Sequence, residues 1–428
     1  MTTEAPGRPS RSPSFPSFLA GLMVLWPLLA ILGTQGFAPL IVLVAFAGLA
    51  FRPQLPKPSI LLALFIALIA WVSVSFVWSP ARDGPILSGS LAAQDFAVEF
   101  SPARLIAVAI ASMVAISAVK VSTARTRLSA RVIIAILTLH LGMILITPPL
   151  LEQGLGLMYD TPQEAMRDGM QNVLRYANAL ALALPVLLAV AWTSGSLWRI
   201  AGHVGVVGAT IVFALLGSGA AFIGVVLMFA VIAIVMALPR NGFRTVFTGL
   251  AGLVLAAPAL GWVARAFDTL NIAIPLSFQS RLWAWQVVSE KVMEKPLLGH
   301  GLEAASTWRE TYALRPEWLA EAVARGGQEA AWMRYPLVPS HPHNMPLEVW
   351  IETGLVGALL LAGTLLAFGW RLPRPGDMSL RLRIGTAGLI GSALAIALVS
   401  YSTWNEAFWA SIVLLALTLV VVDRAQRA

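Results

Sequence analysis

Polar and apolar positions along this chain fall into blocks rather than a fine alternation. Twelve predominantly apolar segments stand out, at roughly 17–34, 37–51, 59–78, 102–119, 131–147, 173–192, 199–216, 219–238, 244–262, 346–369, 382–401 and 405–422. Each is near the ~20 residues that carry a helix across a bilayer. Apolar runs of this length predict an all-α polytopic membrane protein with about twelve transmembrane helices. The stretch before the first run is polar and rich in Pro and Ser, so it is expected to be disordered. It has no evident small-residue cleavage site of the kind a signal peptide carries. The expected division is a cytoplasmic N-terminus at 1–16, helices one to nine over 17–262, a loop over 263–345, helices ten to twelve over 346–422, and a cytoplasmic tail at 423–428.

Two connectors exceed ordinary length. The first, about Pro148 to Asn172, is acidic overall. The second is the 263–345 loop, which carries helical patterning of its own. In "SRLWAWQVVSEKVMEKPLLGHG", Leu282, Trp285, Val288, Val292 and Met293 recur at spacings of three and four, predicting an amphipathic helix stopped by Pro296. A second, polar helix is expected over Pro316 to Arg334. Long loops with internal order are commonly functional.

Composition narrows the class. Of 428 residues, 58% are hydrophobic and only 12% charged. That is about half the charged fraction of a soluble domain. Several large soluble cores would not need the apolar residues in bilayer-length runs. There is no cysteine, which excludes disulfides, thiolate nucleophiles and Cys-based metal sites.

The net charge of +8 is informative through its placement. With the N-terminus in the cytoplasm, the cytoplasmic segments hold 17 basic residues against three acids, leaving 12 basic and 18 acidic elsewhere. That asymmetry follows the positive-inside rule and puts both long connectors on the external side. It also excludes a nucleic-acid partner, because the basic residues are short-loop anchors with no aromatic-rich basic patch beside them. The lipid bilayer is the partner the sequence demands.

Sidedness then filters the candidate chemistry. Of five histidines, His140 and His203 fall within spans and read as packed, neutral core residues; His300, between two glycines in "PLLGHGL", reads as part of a turn. His341 and His343 lie just outside the tenth span, on the external side. Arg175 sits at the external end of the sixth span, against the positive-inside trend, where an arginine either snorkels or meets an anion. Arg281 opens the loop helix, with Ser277 and Ser280 as candidate caps, and a helix N-terminus adds to its pull on anions. Arg265 follows the ninth span and reads as a headgroup contact or a further anion ligand. Glu348 and Glu352, at i and i+4, open the tenth span.

Arg175, Arg281 and His343 together suit transfer from a membrane-held phosphate or diphosphate. Arginine grips phosphate in a bidentate way and stabilises a departing pyrophosphate, while a histidine takes the proton of an attacking hydroxyl. "HPH" offers zinc two imidazoles but has no third ligand at clear spacing, so neither a metal nor another cofactor is expected.

Three motifs resemble those of the O-antigen ligases and related polymerases of bacterial surface polysaccharide assembly. The first is "HPHNMPLEVWIETGLVG", with His343, Asn344, Leu347, Gly354 and Gly357. The second is "SRLWAWQVVSEKVMEKPLLGHG", with Arg281, Pro296, Gly299 and Gly301. The third is "RYANALALALP", with Arg175 and Asn178. The chain departs from the family at "LLGSGAAFIG", where Ser218 is followed by Gly219 and many members have arginine; Arg265 is a candidate substitute. The resemblance implies a GT-C-like architecture of about twelve helices with a helical periplasmic loop between helices nine and ten, in the bacterial inner membrane.

It further implies a metal-independent transferase that moves a glycan from undecaprenyl diphosphate to a lipid A–core sugar hydroxyl. In that scheme His343 is the general base, Arg175 and Arg281 bind the diphosphate, and Arg265, His341, Asn344, Asn178 and Glu348 join the substrate site. A polymerase, which extends lipid-linked glycan, is the alternative within the family. A non-enzymatic transporter or flippase is the alternative outside it, and predicts charges along a path through the spans, where this chain has essentially none.

Overall fold

The computed structural model describes residues 14–54, 56–83, 86–88, 97–121, 127–270, 276–314, 333 and 335–427. It is an all-α polytopic membrane protein. Its helices are α1 (Phe15–Met23), α2 (Trp26–Ile31), α3 (Phe37–Leu49), α4 (Ile60–Ser75), α5 (Ser101–Val121), α6 (Arg127–Leu145), α7 (Thr147–Met158) and α8 (Met170–Thr193). They continue as α9 (Ser196–Leu215), α10 (Gly219–Ala237), α11 (Gly242–Ala256), α12 (Leu260–Thr269), α13 (Leu276–Glu294), α14 (Met345–Arg371), α15 (Leu380–Val399) and α16 (Glu406–Arg427). A two-residue antiparallel ribbon, Leu87–Ser88 with Ala97–Val98, precedes α5.

Ten helices among the described residues are long and apolar enough to cross a membrane, against the twelve expected. The difference lies at the start of the chain. The run expected at 17–34 breaks into α1 and α2, because Pro27 has no N–H for the helical bond to Met23 and its ring crowds that carbonyl. The run at 37–51 yields α3, which has only 13 residues. A helix of that length rises about 20 Å, short of the hydrocarbon core.

Other boundaries move for identifiable reasons. The connector after the fifth expected span is largely helix: α7 lays Leu151 and Leu155 against the bundle, and a helical stretch from Pro162 leads into α8. The loop helix begins at Leu276, so Ser277 and Ser280 lie inside it and Arg281 stands in its second turn. The dipole argument for Arg281 therefore falls, since that effect fades within the first turn. Its buried face is Trp283, Ala284, Val287, Val288 and Val292, while Met293 is exposed. Except for Met333, the second helix expected over Pro316 to Arg334 lies outside the described residues.

Among the described residues, two large buried clusters and a small third one, of Val72, Leu302 and Trp404, share the bundle. The first draws on α1, α3, α5, α6, α8, α9, α10, α15 and α16; the second joins α11, α13 and α14. Small residues let backbones approach closely, the usual device where lipid removes the hydrophobic drive for helix association. At Gly391 of α15 any Cβ would overlap the Leu227 carbonyl of α10.

The tenth expected span, α14, is discontinuous. Gly354 has φ 64° and ψ −161°. These values lie outside the helical region. Four of the backbone groups at this break are taken by the turn after α13, and the Thr353 carbonyl accepts from the Trp71 indole of α4 (3.1 Å). The N–H groups of His300 and Gly301 donate to the carbonyls of Ile351 (2.7 Å) and Glu352 (2.9 Å). In return Leu355 N–H donates to the Pro296 carbonyl (2.8 Å) and Val356 N–H to Leu297 (3.4 Å). A broken helix survives in a membrane only with such partners. The approach is close enough that side chains at Gly299 or Gly354 would overlap backbone atoms across it, and one at Gly301 would overlap the backbone of Ser79. This is the physical content of the "PLLGHG" motif, and His300 is part of the turn as expected.

Candidate functional site

The turn before α14 is built around two histidines. Asn344 caps the helix, its Oδ1 accepting from Leu347 N–H (2.9 Å) while its Nδ2 donates to the Leu398 carbonyl (3.1 Å). His343, just outside, has a left-handed φ of 52°. That conformation costs a side-chain-bearing residue about 1–2 kcal/mol. Its backbone N–H donates to His341 Nδ1 (3.2 Å), and the two rings meet edge-on at 4.2 Å. His341 thus holds the strained turn.

The His343 ring is oriented from the end of α15. Its Nδ1 lies 2.7 Å from the Ser400 carbonyl. A carbonyl only accepts, so Nδ1 carries the proton and Nε2 keeps the lone pair. Burial, helped by His341 and the positive charge of Arg281, lowers its pKa to about 3; burial and the same arginine lower His341 to about 4. Both rings are neutral at physiological pH.

Arg281 approaches from α13. Trp285, one turn further on, donates its indole N–H to the Pro342 carbonyl between the two histidines (2.9 Å) and ties the helix to the turn. The Arg281 guanidinium lies 5.4 Å from the centre of the Phe278 ring, within cation–π range. Burial lowers its pKa without removing its charge at neutral pH. The Phe278 ring fills the space in which any side chain at Gly219 would project. The departure at Gly219 is therefore matched by an aromatic that α13 inserts there.

The structure connects Arg175 to the same end of the bundle through α8. Its Nη1 donates to Asn172 Oδ1 (3.3 Å). One turn further on, buried Asn178 donates to Ser400 Oγ (3.2 Å), the residue whose carbonyl orients His343. Burial pushes the Tyr401 pKa up, and neighbouring Thr34, Asn178 and the positive charge of Arg175 oppose it. Arg265 Nη2 pairs with Glu290 of α13 (2.8 Å). Glu290 stands nine residues along α13 from Arg281, which is about 13 Å of helical rise.

Glu348 does not face outward. It is 1% exposed, and its two oxygens accept from Ser402 Oγ (2.7 Å) and Thr403 N–H (2.6 Å). Glu352 accepts from the Trp404 indole (2.8 Å). These carboxylates fix the α15–α16 turn that presents the Ser400 carbonyl. Glu303, at a left-handed φ of 56°, completes the support by accepting from Ser101, and burial raises its pKa. Sequence reading missed Ser400, Ser402, Thr403 and Trp404; the polar run "SYSTWNE" between two apolar spans was the available signal.

Among the described residues no group of three or more His, Cys, Asp or Glu stands close enough to hold a metal ion.

Residues 204–362, from α9 into α14, match the model of the family described as O-antigen ligase. The segment contains Arg265, Arg281, His341, His343, Asn344 and Glu348, whereas Arg175, Asn178 and Ser400 lie outside it. A Rickettsia conorii protein provisionally named polysaccharide ligase is 28% identical over 140 residues, 33% of this chain and 30% of its own length. A Rickettsia felis protein of the same provisional name is 25% identical over 147 residues, 34% of this chain and 32% of its own. The alignments thus span about a third of these curated relatives. No solved structure matches the chain.

Proposed function

We propose that the protein is a glycosyltransferase that joins O-antigen polysaccharide, carried on undecaprenyl diphosphate, to a lipid A–core sugar hydroxyl at the periplasmic face of the inner membrane. The ligase-type role is what the family match and the two named relatives support. The finer assignment rests on one observation: a neutral histidine with its Nε2 lone pair free and its Nδ1 held by a carbonyl, in the field of an arginine.

In this reading Arg281 and Arg175 bind the diphosphate. Its negative charge offsets the arginine charge that holds the His343 pKa down, and so makes His343 a better base once the donor is seated. The acceptor oxygen attacks the anomeric carbon, the bond from that carbon to the diphosphate oxygen breaks, and the leaving group departs with the electron pair. His343 Nε2 takes the hydroxyl proton. Fixed cations stabilise the growing charge on the leaving group. His341, Asn344, Asn178 and Glu348 position the base and its carbonyl partner; Arg265 steadies α12 against α13 outside the site.

The test is reconstitution with lipid-linked glycan and lipid A–core. Joined product supports the proposal. Longer lipid-linked chains alone would assign a polymerase, and movement of lipid-linked glycan across the bilayer without product would assign a transporter.

A further inference from the structure

Between α6, α7 and α8 lies a half-open cavity of about 190 Å³. Its walls are almost wholly apolar, including Met143, Leu150, Gly154, Leu155, Val173 and Tyr176. It is smaller than the roughly 300–1,000 Å³ of a pocket that encloses a whole small ligand, so it suits a short length of hydrocarbon. One side is polar. Asn172 lines the cavity, donates to the Tyr159 hydroxyl (2.6 Å) and accepts from Arg175. An apolar chamber at the end of two helices, with an arginine against its polar wall, fits a molecule that is hydrocarbon at one end and anionic at the other. α7 also leaves Leu157 exposed, as a helix resting at a lipid boundary would.

We propose that this cavity seats the phosphate-proximal isoprene units of the lipid-linked donor, with Arg175 taking the adjoining phosphate. The inference rests on the donor reading given above. It assigns α7 the role of a wall that fixes where the reactive end of a long, mobile lipid stops. The remaining isoprene units stay in the bilayer.

Two glycines of α7 allow a matched test. Neither Gly154 nor Gly156 has any atom within 4 Å of where a Cβ would stand, so both accept a side chain, but only Gly154 lines the cavity. The measurement is kcat/KM for transfer from two donors carrying the same glycan diphosphate, one on a polyprenyl chain and one on an ethyl group. Gly154→Leu should lower kcat/KM for the polyprenyl donor by roughly ten- to a hundredfold, the effect of a few buried methyl groups losing their wall. It should leave the ethyl donor unchanged, and Gly156→Leu should leave both unchanged. An unaltered polyprenyl rate in Gly154→Leu would overturn the proposal and leave the cavity to a bilayer acyl chain. An equal fall for both donors would also overturn it, since the damage would then lie in the reacting site. Failure of the unsubstituted protein to use any polyprenyl diphosphate donor would instead remove the donor reading itself.

Discussion

His343 is distinguished from the other histidines by its backbone as well as by its ring. A left-handed φ at a residue with a side chain persists only when its surroundings hold it, and here His341, Asn344 and the Ser400 carbonyl do so. The lowered pKa gives a pH prediction with a definite sign. A base whose pKa is depressed stays neutral, and so competent, as pH falls through the ordinary histidine range. The acid limb of kcat/KM that reports the free enzyme should therefore fall well below pH 6.5, toward the value of about 3. A limb at or above 6.5 would contradict this environment for His343. Glu348 makes a second residue-scale prediction. Glu348→Gln retains one acceptor oxygen, so one of the two donors, Ser402 Oγ or Thr403 N–H, loses its partner. The cost should be about 1–3 kcal/mol in detergent-solubilised unfolding. Because Glu348 acts through Ser400, kcat should fall while donor KM changes little. A rise in KM with kcat intact would make it a direct substrate ligand.

At the scale of elements, the decisive feature is the turn after α13 that fills the break in α14. Gly354→Ala places a Cβ against the Leu297 carbonyl at a positive φ, and Gly301→Ala does the same against the Ser79 backbone. Each should cost at least the roughly 1–2 kcal/mol of the left-handed conformation, with the overlap added, and should lower the yield of folded protein. Gly142→Ala, in open surroundings on α6, is the matched control and should be neutral. The motif glycines were legible in the sequence, but their purpose was not. Periodicity reports which face of a helix is apolar; it carries no trace of a hydrogen bond between Gly301 and Glu352, which are distant along the chain. The same limit hid the support of His343 by Ser400. Reading Arg281 as a first-turn residue failed because helical start signals were sought in the serines beside it, while α13 was already under way from Leu276.

For the whole molecule, the apolar runs made the membrane class and most crossings plain, because length and unbroken hydropathy are one-dimensional properties. They failed at α1–α3, where one proline and a short run sufficed to break or shorten a helix. The sidedness proposed from the arginine distribution is directly testable, since the chain has no native cysteine. Single cysteines at exposed Arg309, near the His343 end, and at exposed Arg374, at the other, should differ in intact cells with permeabilised outer membranes. Arg309→Cys should react with an impermeant maleimide, and Arg374→Cys only after the inner membrane is opened. The reverse pattern would invert the topology and put the site in the cytoplasm.

The proposed base and the proposed diphosphate ligand are separable in one experiment on the reconstituted protein, which measures lipid-linked donor binding and joined-product formation side by side in His343→Ala and Arg281→Ala. His343→Ala should bind donor as the unsubstituted protein does and lose transfer by about 10²–10⁴-fold, the contribution of a positioned general base. Arg281→Ala should lose donor binding. Transfer retained in His343→Ala, with donor binding intact, would contradict the assignment of His343 as the base.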